Sequence, residues 1–352
     1  MCALIRGNNV DGRKTGKVTI VDVARHAGVS HTTVSWVIHN DPRITQETKE
    51  RVNQSIWELN YHPNLSARRL VRGRSDTVAM MAAFFSGPFE MEILKGVEEG
   101  MSFSCGDEGK AMSLFTTGGS DARARTMMES ILYGDAADGL MLLSIMPPDD
   151  LVEAFRERGR PLVVIESKVI GACSITSDNE FGARLATEHL LQKGYRRIAI
   201  VNGQSSSLEP HRSAEERLAG YIETLGEWGI PYDPSHLYEL VYYDYQDGLA
   251  LGHKVAKGGY DAVFCAAGDA VAMGLMSAFR EAGLRIPEDI ALVGYDDWYP
   301  ARLLSPSMTT VAQPLREMGK RALLECLNGI ACGADSMKDG LFDPKLVIRQ
   351  SS

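Results

Sequence analysis

The chain has 352 residues, 44% of them hydrophobic and 24% charged, which allows more than one buried core and excludes a mainly disordered chain. It contains no run of eighteen apolar residues and no apolar leader within residues 1–17, so we expect neither a membrane span nor secretion and place the protein in the cytoplasm. The six cysteines form no CxxC pair and no His/Cys cluster, which indicates reduced thiols with neither a metal site nor a cofactor.

The net charge of −9 is divided unevenly along the chain. Residues 1–74 hold twelve Lys or Arg and six Asp or Glu, whereas the remainder holds 25 and 40. A basic head on an acidic body predicts that the head contacts a polyanion. A solvated basic face would give the same balance, so charge alone leaves both interpretations open.

The segment TIVDVARHAGVSHTTVSWVIHN, which begins at Thr19, has the pattern of two short helices joined by a tight turn. Thr19 and Asp22 are spaced as a capping box at the start of the first helix. Gly28 accepts the left-handed backbone of a turn, and Ser30 can cap the second helix. The apolar stripes are Ile20, Val23, Ala24 and Ala27, then Val34, Val37 and Ile38. Together these features predict a helix-turn-helix.

Three side chains of the second helix are placed for contact with DNA bases. At about 100° per residue, Thr32 and Trp36 point away from the apolar stripe, and His31 lies at the N-terminal end. From such positions a helix in the major groove reaches base edges. The alternative for Trp36 is packing under the following loop or under a third helix.

A third helix, capped by Thr45, closes a small core and leads to the basic segment NYHPNLSARRLVRGRS. The inward stripe of the third helix is Val52, Ile56 and Leu59. In the basic segment, Asn64 can cap about seven residues, a length too short for a helix that is stable alone. Leu70 lies among arginines, where it can wedge between base steps from the minor groove while the arginines bind phosphates.

The stretches VTIVDVARHAGVSHTTVSWVI and ETKERVNQSIWELNYHPNLSARRL resemble the DNA-binding headpiece and hinge of the LacI/GalR family of transcription regulators. The resemblance implies that His31, Thr32 and Trp36 read the major groove and that Leu70 inserts at the centre of the operator. The full set of DNA-binding residues that we expect is Thr19, His31, Thr32, Thr33, Trp36, Asn64, Ala67, Arg68 and Leu70. The family usually has arginine where Trp36 stands. An indole cannot make the bidentate contact of arginine to guanine, so we expect an operator that departs from the family's common half-site.

From Asp76 onward, apolar runs alternate with amphipathic stretches. The predicted strands are 77–85, 110–117, 138–144, 161–167, 196–203, 237–243, 261–268 and 289–297, and the predicted helices include 121–133, 179–193, 213–228, 247–257 and 269–282. This spacing predicts an α/β body with two doubly wound parallel sheets, one in each of two lobes. No GxGxxG, GxxxxGK[ST], GxSxG or HExxH motif occurs, so the pattern favours a binding protein over an enzyme.

The body also resembles the LacI/GalR effector domain, which is similar in fold to periplasmic sugar-binding proteins, through SDNEFGARLATEHLLQKGYRRIAIVNG, ERLAGY, GDAVAMG, IPEDIALVGYDD, SPSMTTVAQP and LVIRQSS. The effector contacts that the resemblance implies are Arg217, Asp296, Tyr245, Gln313, Phe85 and Glu166. The alternatives are a salt bridge between Arg217 and Asp296 without a ligand, and core packing for Tyr245. Gly268 and the pair Glu166-Ser167 depart from the common family residues, which suggests an effector that is bulkier or less hydroxylated than a simple hexose.

The sequence therefore predicts a transcription repressor that binds a pseudo-palindromic operator as a homodimer and responds to a sugar or glycoside. A nucleoside or other small polar metabolite is the alternative effector. The alternatives to a regulator are a cytoplasmic solute-binding protein with a vestigial headpiece and an enzyme on the same scaffold. The predicted domains are a basic extension (1–17), the headpiece (18–62), the hinge (63–75) and the effector domain (76–352), with an N-lobe at 76–177 and 312–338 and a C-lobe at 178–308 and 340–352.

Overall fold

The computed structural model describes residues 18–38, 41–61, 75–104, 110–134, 136–204, 212–241 and 243–352. The chain divides into two compact units, residues 1–74 and residues 75–352. The extension predicted at 1–17 and nearly all of the hinge predicted at 63–75 lie outside the described residues. The hinge residues expected to bind DNA, namely Asn64, Ala67, Arg68 and Leu70, lie outside them as well.

The smaller unit contains the predicted helix-turn-helix and the third helix. These helices are α1 (Ile20–Ala27), α2 (His31–Ile38) and α3 (Gln46–Glu58). The backbone N–H and the hydroxyl of Thr19 both donate to Asp22 Oδ2, at 2.9 and 2.7 Å, so the predicted capping box is present. Ser30 Oγ accepts from the backbone N–H of Thr33 at 3.1 Å and caps α2. The sequence prediction for this segment is confirmed.

The three helices enclose a small apolar core. Its buried members are Val23, Ala24, Ala27, Val34, Val37, Val52 and Tyr61. They include the predicted stripes of α1 and α2 except Ile20 and Ile38. These two residues are only partly buried and pack against the core, as do Ile56 and Leu59 of the predicted stripe after Thr45. A core of this size leaves the outer face of α2 free of any packing requirement.

The turn between α1 and α2 depends on Gly28, whose φ of 65° is left-handed. A Cβ at this position would meet no atom within 4 Å, so Gly28→Ala costs only the backbone strain, about 1 kcal/mol. We expect about fivefold faster hydrogen exchange of the slowest amides in α1 and α2. Gly226→Ala is the matched control, since Gly226 is helical with open space around it; it should leave the stability unchanged or raise it slightly. Unchanged exchange in Gly28→Ala would contradict the assigned turn.

The larger unit is built from alternating strands and helices. In chain order its strands are β1 (Thr77–Ala82), β2 (Ala111–Thr116), β3 (Gly139–Leu143), β4 (Leu162–Ile165), β5 (Cys173–Ser177), β6 (Ile198–Gly203), β7 (Leu237–Leu240), β8 (Ala262–Cys265), β9 (Ala291–Tyr295), β10 (Thr309–Ala312), β11 (Gly340–Phe342) and β12 (Lys345–Val347). Its helices are α4 (Pro88–Ser104), α5 (Asp121–Tyr133), α6 (Asp149–Glu157), α7 (Asn179–Gln192), α8 (Arg212–Glu227), α9 (Tyr245–Val255), α10 (Asp269–Glu281) and α11 (Leu315–Cys332).

The strands form two sheets, ordered β11-β5-β4-β3-β1-β2 and β12-β10-β9-β8-β6-β7. The pairings are parallel except that of β12 with β10, which is antiparallel. Val78 and Met80 of β1 pack into one apolar cluster, whereas Ala79 and Met81 pack into another. Apolar clusters cover both faces, which explains why the central strands are continuous apolar runs. The predicted α/β fold with two parallel sheets is confirmed.

Seven of the eight predicted strands extend beyond the observed ones at their carboxyl ends, two of them next to predicted effector contacts. The run predicted to residue 167 ends at Ile165, and the run predicted to residue 297 ends at Tyr295. At both places the next residue has a left-handed backbone, with φ of 77° at Glu166 and 101° at Asp296, which turns the chain out of the sheet. The strands β5, β10, β11 and β12, of three to five residues each, were not predicted, and neither were α4, α6 and α11.

One predicted lobe boundary differs from the observed topology. Residues 340–352 were assigned to the second lobe, but β11 pairs with β5 of the first sheet, Gly340 facing Ile175. Helix α11 packs against α4 and β3 to β5, so the chain that leaves it enters the first sheet. It crosses to the second sheet only before β12, where Val347 faces Thr310. Among the described residues, no helix is both long and apolar enough to cross a membrane.

Candidate functional site

Side chains from both sheets meet at the carboxyl ends of their strands, where open parallel sheets bind ligands. Glu166 follows β4 of the first sheet, and Asp296 and Gln313 follow β9 and β10 of the second. Arg217 projects from α8. We call Glu166, Arg217, Asp296 and Gln313 the interlobe cluster. All four were predicted as effector contacts.

Arg217 makes three hydrogen bonds, of which the one to Glu166 connects the two lobes. Its Nε donates to Asn179 Oδ1 at 2.8 Å and its Nη1 donates to the carbonyl oxygen of Ala266 at 2.8 Å. Its Nη2 donates to Glu166 Oε1 at 3.3 Å, which is also an ion pair. The guanidinium carbon lies 4.1 Å from the ring centroid of Tyr295. Arg217 is thus held in one orientation, as a binding residue must be.

Asp296 is fixed on the opposite side of the interlobe cluster. Gln313 Nε2 donates to Asp296 Oδ1 at 2.8 Å. A Cβ at Gly268 would lie 3.0 Å from Asp296 Oδ2, so the glycine at this position leaves room for this carboxylate. The ion pair of Arg217 is with Glu166, and the predicted alternative of an Arg217–Asp296 salt bridge does not describe the arrangement.

Some polar atoms around the interlobe cluster are buried without a protein partner. Glu166 Oε2, Ser167 Oγ and Gln313 Oε1 have no hydrogen-bond partner among the described residues, although these residues are only 8%, 2% and 6% exposed. A buried polar atom without a partner costs about 1–3 kcal/mol. Natural proteins keep such atoms at functional sites, where a ligand supplies the missing hydrogen bonds.

The carboxyl groups around the interlobe cluster have raised pKa values. Burial raises the pKa of Glu166 to about 7; Arg217 opposes this, whereas Asp296, Glu216 and Glu90 add to it. Burial also raises the pKa of Glu90, and Asp296 raises it further. The pKa of Asp296 is raised by burial, against the effects of Arg217 and Gln313. Raised pKa values in a group of convergent side chains are typical of binding sites.

Replacing Glu166 with glutamine is expected to stabilise the free protein at pH 8. The folded-state pKa of Glu166, about 7, lies above the ordinary value of 4.5, so the wild type loses stability as the pH rises from about 4.5 to 7. A pKa shift corresponds to about 1.4 kcal/mol per unit. The amide of glutamine makes a weaker hydrogen bond to Arg217 than the carboxylate does, which reduces the benefit. We therefore expect the free energy of unfolding to rise by about 2 kcal/mol at pH 8.

Thermal unfolding of both proteins from pH 5 to pH 8 measures this effect. The two melting temperatures should approach each other at pH 5 and separate as the pH rises. Asp150→Asn is the matched control, because Asp150 is an exposed carboxylate paired with Arg125. A constant difference between wild type and Glu166→Gln across this range would contradict the burial of an ionisable Glu166.

The other two predicted effector contacts lie apart from these hydrogen bonds. Phe85 is partly buried and packs against the core of the first sheet. Tyr245 is the first residue of α9 and is 38% exposed. Its backbone oxygen lies so close to Gly274 of α10 that a Cβ added at Gly274 would be 2.3 Å from this oxygen. The predicted contact of Tyr245 with the effector stays a prediction.

Sequence reasoning missed several residues that hold the interlobe cluster. Asn179 accepts from Arg217, and its Nδ2 donates to Glu216 Oε2 at 3.1 Å. Asp269, at the start of α10, accepts from the Thr310 hydroxyl and from the backbone N–H of Trp298, each at 2.8 Å. Both residues lie in motifs that the sequence analysis quoted, SDNEFG and GDAVAMG. The signal was therefore present, but only the fold shows which atoms these side chains face.

In the smaller unit, α2 presents the predicted base-reading residues on its outer face. His31, Thr32 and Trp36 are exposed. The Trp36 ring lies under the guanidinium of Arg43, with the guanidinium carbon 4.8 Å from the ring centroid. Arg43 in turn donates to both carboxylate oxygens of Asp41, at 2.9 and 2.7 Å, and these hydrogen bonds lower the pKa of Asp41 to about 2. Trp36 therefore contacts the following loop and remains 38% exposed.

Thr19 and Thr33 are the remaining predicted DNA contacts among the described residues. Thr19 is exposed at the start of α1, and its hydroxyl donates to Asp22. The Thr33 hydroxyl lies 2.9 Å from Ser30 Oγ. Both hydroxyls are at helix N-termini, where backbone N–H groups and the helix dipole attract phosphate oxygens.

Comparison with known proteins agrees with both units. Residues 19–64 match the family described as bacterial regulatory proteins, lacI family, and residues 187–352 match the periplasmic binding protein-like domain. The ribose operon repressor of Haemophilus influenzae (strain ATCC 51907 / DSM 11121 / KW20 / Rd) is 32% identical over 339 residues, which cover 95% of this chain and 98% of the repressor. The chain belongs to the lacI family of bacterial regulatory proteins. Its resemblance to that family is confirmed over nearly its whole length.

Two solved structures of lacI-family proteins match the same extent of the chain. A complex of the transcriptional regulator CelR with cellobiose is 30% identical, with a TM-score of 0.68, and the match covers 95% of this chain and all of that one. A lac repressor dimer bound to operator and the anti-inducer ONPF is 25% identical, with a TM-score of 0.80 and coverage of 96% and 99%. The headpiece and the two-lobed body therefore occur together in these lacI-family proteins.

Proposed function

We propose that this protein is a transcription repressor that binds a pseudo-palindromic DNA operator as a homodimer and is controlled by a small sugar-like effector. The observation that carries the proposal is the presence, in one lacI-family chain, of an exposed α2 face and of the interlobe cluster with its unpartnered polar atoms. One surface fits a major groove and the other fits a small polar ligand. Such a repressor would act in the cytoplasm, on chromosomal DNA.

The DNA contacts that we propose divide into two classes. His31, Thr32 and Trp36 read base edges, whereas Thr19 and Thr33 contact phosphates. Asn64, Ala67, Arg68 and Leu70 of the hinge belong to the same surface, with Leu70 inserted between base steps. A homodimer places two copies of α2 on two half-sites, so its operator is expected to be nearly palindromic.

The effector that we propose binds between the lobes, at the interlobe cluster. Arg217, Asp296 and Gln313 offer charged and amide groups that suit the hydroxyls of a sugar. The names of the relatives favour this class, since one is a ribose operon repressor and another is in complex with cellobiose. A nucleoside is the alternative effector. Because binding is reciprocal, an effector that changes operator affinity must have its own affinity changed by operator in the same ratio.

Selection of random duplex DNA on the full chain tests this function. At 150 mM salt we expect a pseudo-palindromic duplex that binds at least 1000-fold tighter than unrelated DNA. A solute-binding protein with a vestigial headpiece would instead bind all sequences about equally, and its affinity would only fall with salt. That outcome would contradict the proposed function.

Replacing Trp36 with arginine is expected to change the bases that are preferred in each half-site. An arginine at this place on α2 can form two hydrogen bonds with guanine, which is about 1–3 kcal/mol of discrimination, or roughly 5- to 150-fold. The measurement is a second selection with the variant. Trp57→Arg is the matched control, since Trp57 on α3 is 82% exposed and its replacement adds the same charge away from α2. An unchanged preference in Trp36→Arg would assign Trp36 to packing alone.

A further inference from the structure

The region around the interlobe cluster contains more negative than positive charge. Glu166 and Asp296 lie in the interlobe cluster itself, and Glu90 is near enough to raise the pKa of Glu166. Asp296 raises the pKa values of both Glu166 and Glu90. Arg217 opposes these three carboxyls. Among the described residues, it is the basic side chain that lowers the pKa values of both Glu166 and Asp296. With these four groups ionised, the balance among them is two negative charges, and Glu216 adds to the negative side.

Of the three buried atoms at this place that have no partner among the described residues, two are acceptors and the third is the Ser167 hydroxyl, which can donate or accept. Glu166 Oε2 and Gln313 Oε1 are buried oxygens that can only accept when Glu166 is ionised, and neither has a partner in the described part of the chain. Three of the five N–H donors of Arg217 bind Asn179, Ala266 and Glu166 Oε1, and none of them reaches Glu166 Oε2 or Gln313 Oε1. When Glu166 is ionised, the arrangement therefore favours a ligand that brings donors and positive charge.

We propose that the effector carries a protonated amine, as an amino sugar or an amine-bearing glycoside does, and that the ammonium group binds Glu166 and Asp296. An ammonium has three donors and no acceptor, and its charge offsets the excess negative charge. A neutral hexose brings hydroxyls that donate and accept, but it leaves the two negative charges uncompensated. This inference rests on the proposed effector role of the interlobe cluster and adds the chemical class of the ligand.

Binding of an ammonium has a proton signature that binding of a neutral sugar lacks. The groups that face Glu166 are Arg217 and Glu216 from α8, Glu90 from α4 and Asp296 from the loop after β9. Burial holds the pKa of Glu166 at about 7 in the free protein, and an ammonium beside it lowers that pKa. Binding at pH 7 therefore releases a proton from Glu166, and at pH values below the pKa of the ligand's own amine the affinity falls as the pH drops.

Isothermal titration with matched sugars tests the inference. The probes are D-glucosamine, D-glucose and N-acetyl-D-glucosamine, together with the β-1,4-linked glucosamine disaccharide and cellobiose. We expect at least one amine-bearing member to bind at least tenfold tighter than each of its neutral counterparts at pH 7.5. Titrations in buffers of different ionisation enthalpy should show proton release at pH 7 for that member only.

Two variants assign the preference to this site. Glu166→Gln keeps an oxygen for Arg217 but removes the charge, and Glu90→Gln removes a charge that has no part in the Arg217 ion pair; each should reduce the preference at least fivefold. Asp150→Asn, with the same change in net charge at the surface, should leave the preference unaltered. Thermal unfolding of each variant shows that it is folded.

Two results would overturn the inference. One is a neutral sugar that binds as tightly as its amine-bearing partner, and the other is a panel in which no amine-bearing member binds. Neither result bears on operator selection, so the proposed repressor function would stand with a neutral effector. Conversely, amine binding without a selected operator would support the inference and contradict the repressor function.

Discussion

Replacing Arg217 with alanine is expected to remove the response to effector, with the effector dissociation constant raised at least 100-fold. Arg217 is the residue that joins the lobes by donating to Glu166 while it is itself held by Asn179 and Ala266. Its loss removes donors from the ligand and leaves the buried carboxyl of Glu166 without an opposite charge, which typically costs 3–5 kcal/mol. The free variant should therefore also be less stable, and more so at pH 8 than at pH 5.

The measurement is a thermal-shift screen of sugars, amino sugars and nucleosides on wild type and variant. A ligand at about 100 times its dissociation constant adds about 2.7 kcal/mol to stability, so a shift of several degrees should occur in the wild type and be absent in Arg217→Ala. Arg184→Ala is the matched control, because Arg184 pairs with Glu227 at the surface. An equal shift in wild type and Arg217→Ala would show that the ligand binds elsewhere.

Replacing Asp269 with alanine is expected to destabilise the larger unit by about 4 kcal/mol. Asp269 is 1% exposed, and it accepts from the Thr310 hydroxyl of β10 and from the backbone N–H of Trp298. Alanine leaves both donors buried without a partner, at about 1–3 kcal/mol each, and leaves a small cavity. The hydrogen bond to Trp298 also holds the loop that carries Asp296, so effector affinity should fall as well.

The effect of Asp269→Ala is measured as the melting temperature, which should fall by roughly 10 °C. Burial, with Asp296 nearby, raises the pKa of Asp269, so a neutral amide is a good replacement and Asp269→Asn should retain most of the stability. Asp121→Ala is the positional control, because Asp121 is the first residue of α5, as Asp269 is of α10, but is exposed. A loss below 1 kcal/mol in Asp269→Ala would contradict its assigned role.

The fold was largely predictable because its elements carry strong local signals. Helix α1 has a capping residue, an apolar stripe and a stop glycine within the ten residues from Thr19 to Gly28, and α5 was predicted with its observed bounds, Asp121–Tyr133. Strands β1 and β3 are continuous apolar runs buried on both faces. By contrast, β11 and β12 have three residues each and are strands only because neighbouring strands accept their pairing. No sequence period exists over so short a length.

The site was predicted less completely than the fold. Four of the predicted effector contacts meet in the interlobe cluster, because the ends of parallel strands converge whatever the loop sequences are. The partner of Arg217 was not predictable in this way, since whether it faces Glu166 or Asp296 depends on how the lobes close over α8. The role of Tyr245, the first residue of α9, stays a prediction.

Operator affinity with and without a bound ligand tests the central claim most directly. The duplex recovered by selection is titrated with wild type at 150 mM salt by fluorescence anisotropy, in the presence of the ligand that gives the largest thermal shift. The account predicts that this ligand changes the operator dissociation constant at least fivefold in the wild type and not in Arg217→Ala. A ligand that binds the wild type but leaves its operator affinity unchanged would contradict control of the headpiece from the interlobe cluster.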